Sequence, residues 1–135
     1  MFENLNYIAL LASGAASMVV GYVWYGALFG KSWMKESGIT QAKIEAGKKE
    51  MPKTYGMMFI GSLITAYVLS VFIGLAGATD IMSAAQVAFW AWLGFVATVM
   101  LGGTLFEGKS WTLFALNAGY NLVIFVVMSA ILVSL

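Results

Sequence analysis

The chain contains no cysteine, no histidine and no arginine. Without cysteine there are no disulfides, thiolate metal sites or thiol nucleophiles. Without histidine there is no imidazole ligand or imidazole acid–base group. Missing arginine removes the bidentate fork that grips phosphate and carboxylate. Charge is scarce as well: 10% of the residues are charged, against about 25% in an ordinary soluble domain. Net charge is +1, which excludes a polyanionic partner, so no nucleic acid is expected. The sequence has one proline.

What is present is apolar. Of 135 residues, 61% are hydrophobic, a composition whose solvent is lipid. Four stretches free of charge and proline are long enough to cross a bilayer, which takes about 20 helical residues: Tyr7–Leu28, Tyr55–Gly77, Ala84–Phe106 and Thr112–Ser134. Lipid offers the backbone no hydrogen-bond partners, so all four must be helical. The reading is an all-α, integral membrane four-helix bundle in a single transmembrane domain, residues 1–135. The first span lacks a basic flank, Glu3 being the only side-chain charge before it, and is read as a retained span rather than a signal peptide.

Lysine sets the expected orientation. Lys31, Lys35, Lys43, Lys48, Lys49 and Lys53 lie between spans one and two, and Lys109 lies between spans three and four. The other side holds Glu3 and Asp80 and no lysine. The positive-inside rule then places loop 31–53 in the cytoplasm and both termini outside, in a prokaryotic inner membrane. Within "SGITQAKIEAGKKEMPK", Thr40 is a helix N-cap and Pro52 a stop before span two, with Ile44 and Met51 at i,i+7. A short helix on the inner leaflet and a solvated charged loop both fit this stretch.

The chain writes one motif twice. "LFGKSW" begins at Leu28, and "LFEGKSW", the same letters with a glutamate inserted, begins at Leu105. Each copy ends an outside-to-inside span, so the chain reads as two parallel helical hairpins related by an axis along the membrane normal. Convergence on residues that suit a cytoplasmic helix end is the alternative. Gly30 and Gly108 are expected to terminate helices in the left-handed conformation. Lys31 and Lys109 face helix C-termini and lipid phosphates, while Trp24, Tyr25, Phe29, Trp33 and Trp111 suit an interfacial belt.

Taken together, "GYVWYGALFGKSWM", "GFVAT", "LFEGKS" and "NAGYNLVIFVVMSAIL" resemble a family of small bacterial and archaeal membrane proteins, domain of unknown function 1761. The resemblance spans nearly the whole chain and is weakest over residues 38–56. It implies a four-helix membrane protein and no particular activity. Trp24, Tyr25, Phe29, Gly30, Lys31 and Trp33 match its first motif, and Glu107, Asn117, Gly119 and Tyr120 its later ones. Lys109 stands where the family often has arginine, so no bidentate role is implied there.

Small residues recur every fourth position in three spans: Ala9, Ser13, Ser17, Gly21; Ser62, Ala66, Ser70, Gly74; and Gly94, Thr98, Gly102. Such stripes let membrane helices approach closely, within one chain or in a homo-oligomer. The polar exceptions are Asn117 and Asn121, one turn apart, with Tyr120 beside them. They lie roughly 9 and 15 Å inside the cytoplasmic boundary at ~1.5 Å per residue. Glu107 and Lys31 stand at that boundary. Two readings of this cluster are open. Either the amides join helices while Glu107 pairs with Lys31 or Lys109, or Glu107, Asn117, Tyr120 and Asn121 line a cytoplasm-facing pocket for a small polar solute, ion or lipid headgroup. The matching functions are a homo-oligomeric permease, channel or carrier, and an accessory or scaffold protein that binds a larger membrane partner. No usual general base is placed to activate a serine or threonine, so the chain is read as a non-enzyme without cofactor or metal.

Overall fold

The computed structural model describes residues 6–38 and 40–135. Glu3, counted above with the outer charges, and Ile39 of the lysine-rich connection lie outside the described residues. The described secondary structure is entirely helical, and four helices are long and apolar enough to span a membrane: Tyr7–Leu28, Lys48–Ala76, Ile81–Phe106 and Trp111–Ser134. The protein is a multi-pass membrane protein whose helices contact lipid.

Helix α1 (Tyr7–Tyr22) starts where the Asn6 side chain accepts the Ala9 N–H at 3.0 Å. It runs into a π-helical segment, Val23–Leu28, closed by a Phe29 N–H to Trp24 C=O bond of 2.8 Å. The chain then bends into a short α2 (Gly30–Ser37), which ends at Gly38 with φ +75°. Thr40 caps α3 (Gln41–Ala46) by accepting the Lys43 N–H, and a 3₁₀ turn at Lys48–Glu50 leads into the 26-residue α4 (Met51–Ala76). Two expectations need correction here. Pro52 does not stop the chain before span two; it sits in the first turn of α4, where a missing N–H leaves no intrahelical bond unmade. Gly30 is not left-handed, and the positive-φ glycines among the described residues are Gly38, Gly77 and Gly108.

Gly77 (φ +72°) ends α4, and the Asp80 carboxylate opens α5 (Ile81–Trp92) by accepting the Ser83 N–H at 3.3 Å. That hydrogen bond and a short one from the Ser83 hydroxyl hold the Asp80 carboxyl below the usual carboxylate range, the hydroxyl contributing more. A second π segment, Leu93–Ala97, joins α5 to α6 (Thr98–Phe106). Gly108 (φ +73°) reverses the chain, and Ser110 caps α7 (Trp111–Ser134) through the Leu113 N–H at 3.0 Å.

Helix α7 is the hub: α1, α2, α4, α5 and α6 all pack on it, and α4 also packs on α1 and α5. The core near the Gly77–Asp80 end consists of Ala66, Leu69, Ile73, Ala84, Ala88, Ile124 and Met128. Apart from Met128, the largest fully buried side chains are serines: Ser13, Ser17 and Ser129. Close approach of thin helix faces therefore replaces bulky interdigitation, as expected where lipid supplies no hydrophobic drive. The small-residue stripes differ in fate. Ala9, Ser13 and Ser17 are buried, and an added Cβ at Gly21 would meet the Tyr120 hydroxyl. In span two, Ala66 is buried but Gly74 is exposed. In span three the stripe at Gly94 and Thr98 points outward, and Ala84, Ala88 and Ala91 make the buried face instead. A glycine signal and an alanine signal serve equally for close packing, and only the helix rotation chooses between them.

Candidate functional site

The two copies of the doubled motif fold differently: the first follows a π segment and the second, with its inserted glutamate, follows an α-helix. In the first copy, Gly30 lies so close to the preceding turn that an added Cβ would sit 2.7 Å from the Tyr25 carbonyl oxygen. The chain continues there into α2. In the second copy Gly108 adopts a left-handed turn, and the Gly103 carbonyl accepts from both the Glu107 N–H (3.2 Å) and the Lys109 N–H (3.3 Å). This turn brings the side chains of Glu107 and Lys109 to the same side, where they form an ion pair at 3.2 Å above Gly103. Both side chains remain more than half exposed. Glu107 thus pairs with Lys109 and not with Lys31, which is exposed on α2 and has no ion pair among the described residues.

Beside this pair lies a half-open cavity of about 230 Å³ between α6 and the first turns of α7. Its lining includes Thr104, Glu107, Lys109 and Asn117, with Val99, Met100, Gly103, Leu113 and Phe114 completing the walls. Val99 is 72% exposed, so the cavity opens on the outer flank of α6 and α7.

The amides stand deeper. Tyr25 donates its hydroxyl to Asn117 Oδ1 at 2.6 Å. The Asn121 amide donates to the Asn117 backbone carbonyl at 2.9 Å and approaches Met100 Sδ at 3.8 Å. Tyr120 turns toward span one instead: its hydroxyl reaches the Ser17 carbonyl at 3.5 Å, and its ring meets that of Tyr25 edge-on at 4.9 Å. The five residues singled out in sequence therefore separate. Glu107 and Asn117 share the cavity, Asn121 is bonded within its own helix and to α6, Tyr120 faces α1, and Lys31 stands apart.

Two expected anchors act as ties between helices. The Trp24 indole N–H donates to the Leu116 carbonyl at 3.0 Å, and Tyr25 holds Asn117, so both reach from span one onto α7. Phe29 packs on Trp24 at 4.7 Å between ring centroids, and Trp33 on Tyr25 at 5.5 Å. Trp111 remains 60% exposed and turns its ring edge to Phe114. Sequence reasoning missed Trp92, whose indole N–H donates to the Ala118 carbonyl at 2.8 Å from the opposite side of α7. A tryptophan in mid-span, away from either belt, was the available signal: its N–H must find an acceptor inside the bundle. Trp24 lies within one π segment and Trp92 immediately precedes the other, so both irregular segments fall where a side chain clamps α7. Met100, Gly103 and Thr104 carry no signal of their own in the sequence.

Among the described residues no group of three or more acidic or metal-ligating side chains is placed to hold a metal ion. No curated protein and no solved structure matches the chain. A family model matches residues 8–133, almost the entire chain, and the chain belongs to that family, described as "Protein of unknown function (DUF1761)".

Proposed function

We propose that this chain is an inner-membrane carrier subunit that takes a small polar ligand from the cytoplasmic side, at the cavity between α6 and α7. In this reading the four spans form a bundle of two like-oriented hairpins with both termini outside, supported by the lysine distribution and the doubled motif. The observation that carries the reading is the cavity itself. It brings a carboxylate, an ammonium, an amide and a hydroxyl together at a membrane boundary. The cavity opens on the flank of α6 and α7 beside the exposed Val99, where a ligand can enter at the boundary. The π segments in spans one and three supply irregular elements on both flanks of α7, and π-bulges are frequent at functional positions. The outward stripe of Gly94 and Thr98 leaves a thin face for a second copy.

A scaffold role is the second reading, and one observation favours it. Asn121 spends its amide on Asn117 and Met100, so the deeper half of the polar cluster is structural.

A thermal-shift screen of inorganic ions, amino acids and polyamines on the purified full chain separates the two. The carrier reading expects at least one compound to stabilise the wild type in proportion to its concentration, and Glu107→Gln to abolish that response. Asn121→Leu should fold and keep it. A wild type that responds to nothing leaves the scaffold reading.

A further inference from the structure

The cavity beside Glu107 and Lys109 narrows the class of ligand, and the argument rests on the carrier reading above. Its volume, about 230 Å³, lies below the ~300 Å³ at which pockets for drug-sized ligands begin. At ~30 Å³ per water it holds roughly eight waters, the bulk of a lipid headgroup or an amino acid.

The charges are what discriminate. Glu107 Oε2 and Lys109 Nζ lie 3.2 Å apart at its rim. A simple cation drawn to one is repelled by the other, and a simple anion fares no better. A ligand carrying both charges a few atoms apart can lie antiparallel to the pair and be attracted at both ends. The resident ion pair is more than half exposed and contributes little, so opening it to admit such a ligand costs little. Asn117 adds to the anionic end. With Oδ1 engaged by the Tyr25 hydroxyl, its amide N–H₂ remains as a donor at the cavity wall. Thr104 offers a hydroxyl that can serve either end.

We infer that the ligand is a zwitterion with a primary ammonium held by Glu107 and a phosphate or carboxylate held by Lys109 and Asn117. Such a group comes from two sources, a membrane lipid of the ethanolamine-phosphate type or a free solute. The exposed flank at Val99 and the 89% exposed Phe106 place apolar surface beside the rim, which suits a headgroup whose chains stay in the bilayer.

The test measures thermal unfolding of the full chain in neutral detergent with O-phosphoethanolamine or glycine, and with the separate charges supplied by ethanolamine and glycerol phosphate. A parallel arm uses nanodiscs of phosphatidylcholine with and without phosphatidylethanolamine. A zwitterion should stabilise the wild type while neither single-charge compound does. Glu107→Gln and Lys109→Met should each weaken the response roughly tenfold or more, as loss of a hydrogen bond to a charged group does. Gly103→Leu, which fills the floor beneath the ion pair and improves helix propensity, should fold and lose the response. Stabilisation by phosphatidylethanolamine alone supports the lipid source, and stabilisation by a free zwitterion supports the solute source. Equal stabilisation by ethanolamine or by glycerol phosphate overturns the zwitterion assignment and leaves a polar-ligand site standing. No response to any probe overturns both.

Discussion

The hydroxyl of Tyr25 donates to Asn117 Oδ1 at 2.6 Å, joining span one to span four across 92 residues of sequence. This bond fixes which way the Asn117 amide faces, and thereby ties the packing of α1 on α7 to the lining of the cavity. Tyr25→Phe and Asn117→Ala should each lower unfolding stability by about 1 kcal/mol. The double mutant should lose less than the sum, with a coupling of about 0.6 kcal/mol, the average for interhelical hydrogen bonds in membranes. Strict additivity in a double-mutant cycle would show that the bond contributes nothing.

Three glycines should respond differently to alanine. At Gly30 the new methyl would lie 2.7 Å from a backbone oxygen that no rotamer can move, and the expected loss is about 1–3 kcal/mol. At Gly108 nothing crowds the methyl, but the left-handed φ costs about 1–2 kcal/mol. At Gly61, in open helix, alanine should be neutral or stabilise by about 0.5–1 kcal/mol. Thermal unfolding of the three single mutants checks the order.

The serines of α1 make a second contrast. Ser13 Oγ is fully buried and has no hydrogen-bond partner among the described residues, whereas the Ser17 hydroxyl bridges the Gly14 carbonyl at 2.7 Å and the Ser62 hydroxyl at 2.8 Å. Ser13→Ala removes an unsatisfied group and should stabilise by about 1 kcal/mol; Ser17→Ala should destabilise by a similar amount. A Ser13→Ala variant less stable than wild type would mean that the hydroxyl has a use this structure does not show.

Acid should act on the cap of α5. The Asp80 carboxyl is held below the usual carboxylate range by the Ser83 hydroxyl and then the Ser83 N–H, so its folded value is lower than its unfolded one. The cap therefore contributes fully at neutral pH, and its contribution is lost as pH falls through the folded value. The stability difference between wild type and Asp80→Ala should shrink on acidification. A difference that stays constant across the carboxylate range would rule out the ionised cap.

Orientation is checked by labelling. Cysteine at Thr79 should react with an impermeant thiol reagent added outside intact cells, and cysteine at Lys48 should not. Reaction at Lys48 alone would invert the proposed topology, and the cavity beside Glu107 would then face outward.

The fold class was legible in sequence because lipid imposes a simple demand. Every backbone group must bond within its own helix, so long uncharged runs such as Trp111–Ser134 announce themselves. Thr40 could be placed as a cap because capping is chemistry of a few neighbouring residues, whereas Asp80 was legible only as a loop charge and not as the cap of α5. Of the candidate site, Glu107 and Asn117 stood out as polar exceptions in an apolar chain.

Only the tertiary structure decided what those residues touch. A membrane helix is apolar on all sides, so periodicity does not tell which face turns inward, and the choice of Ala84, Ala88 and Ala91 over Gly94 and Thr98 was invisible. The same holds for Tyr120, which shares a helix turn with Asn117 yet faces span one. The π segments shift side-chain register by an amount no regular period contains, and Trp24 and Trp92 reach α7 from within one and from the edge of the other. The doubled motif is the clearest case. Two nearly identical strings of letters gave a continuing helix at Gly30 and a reversing turn at Gly108, because the helix that each one ends, π in the first and α in the second, presents different backbone carbonyls to the next residues.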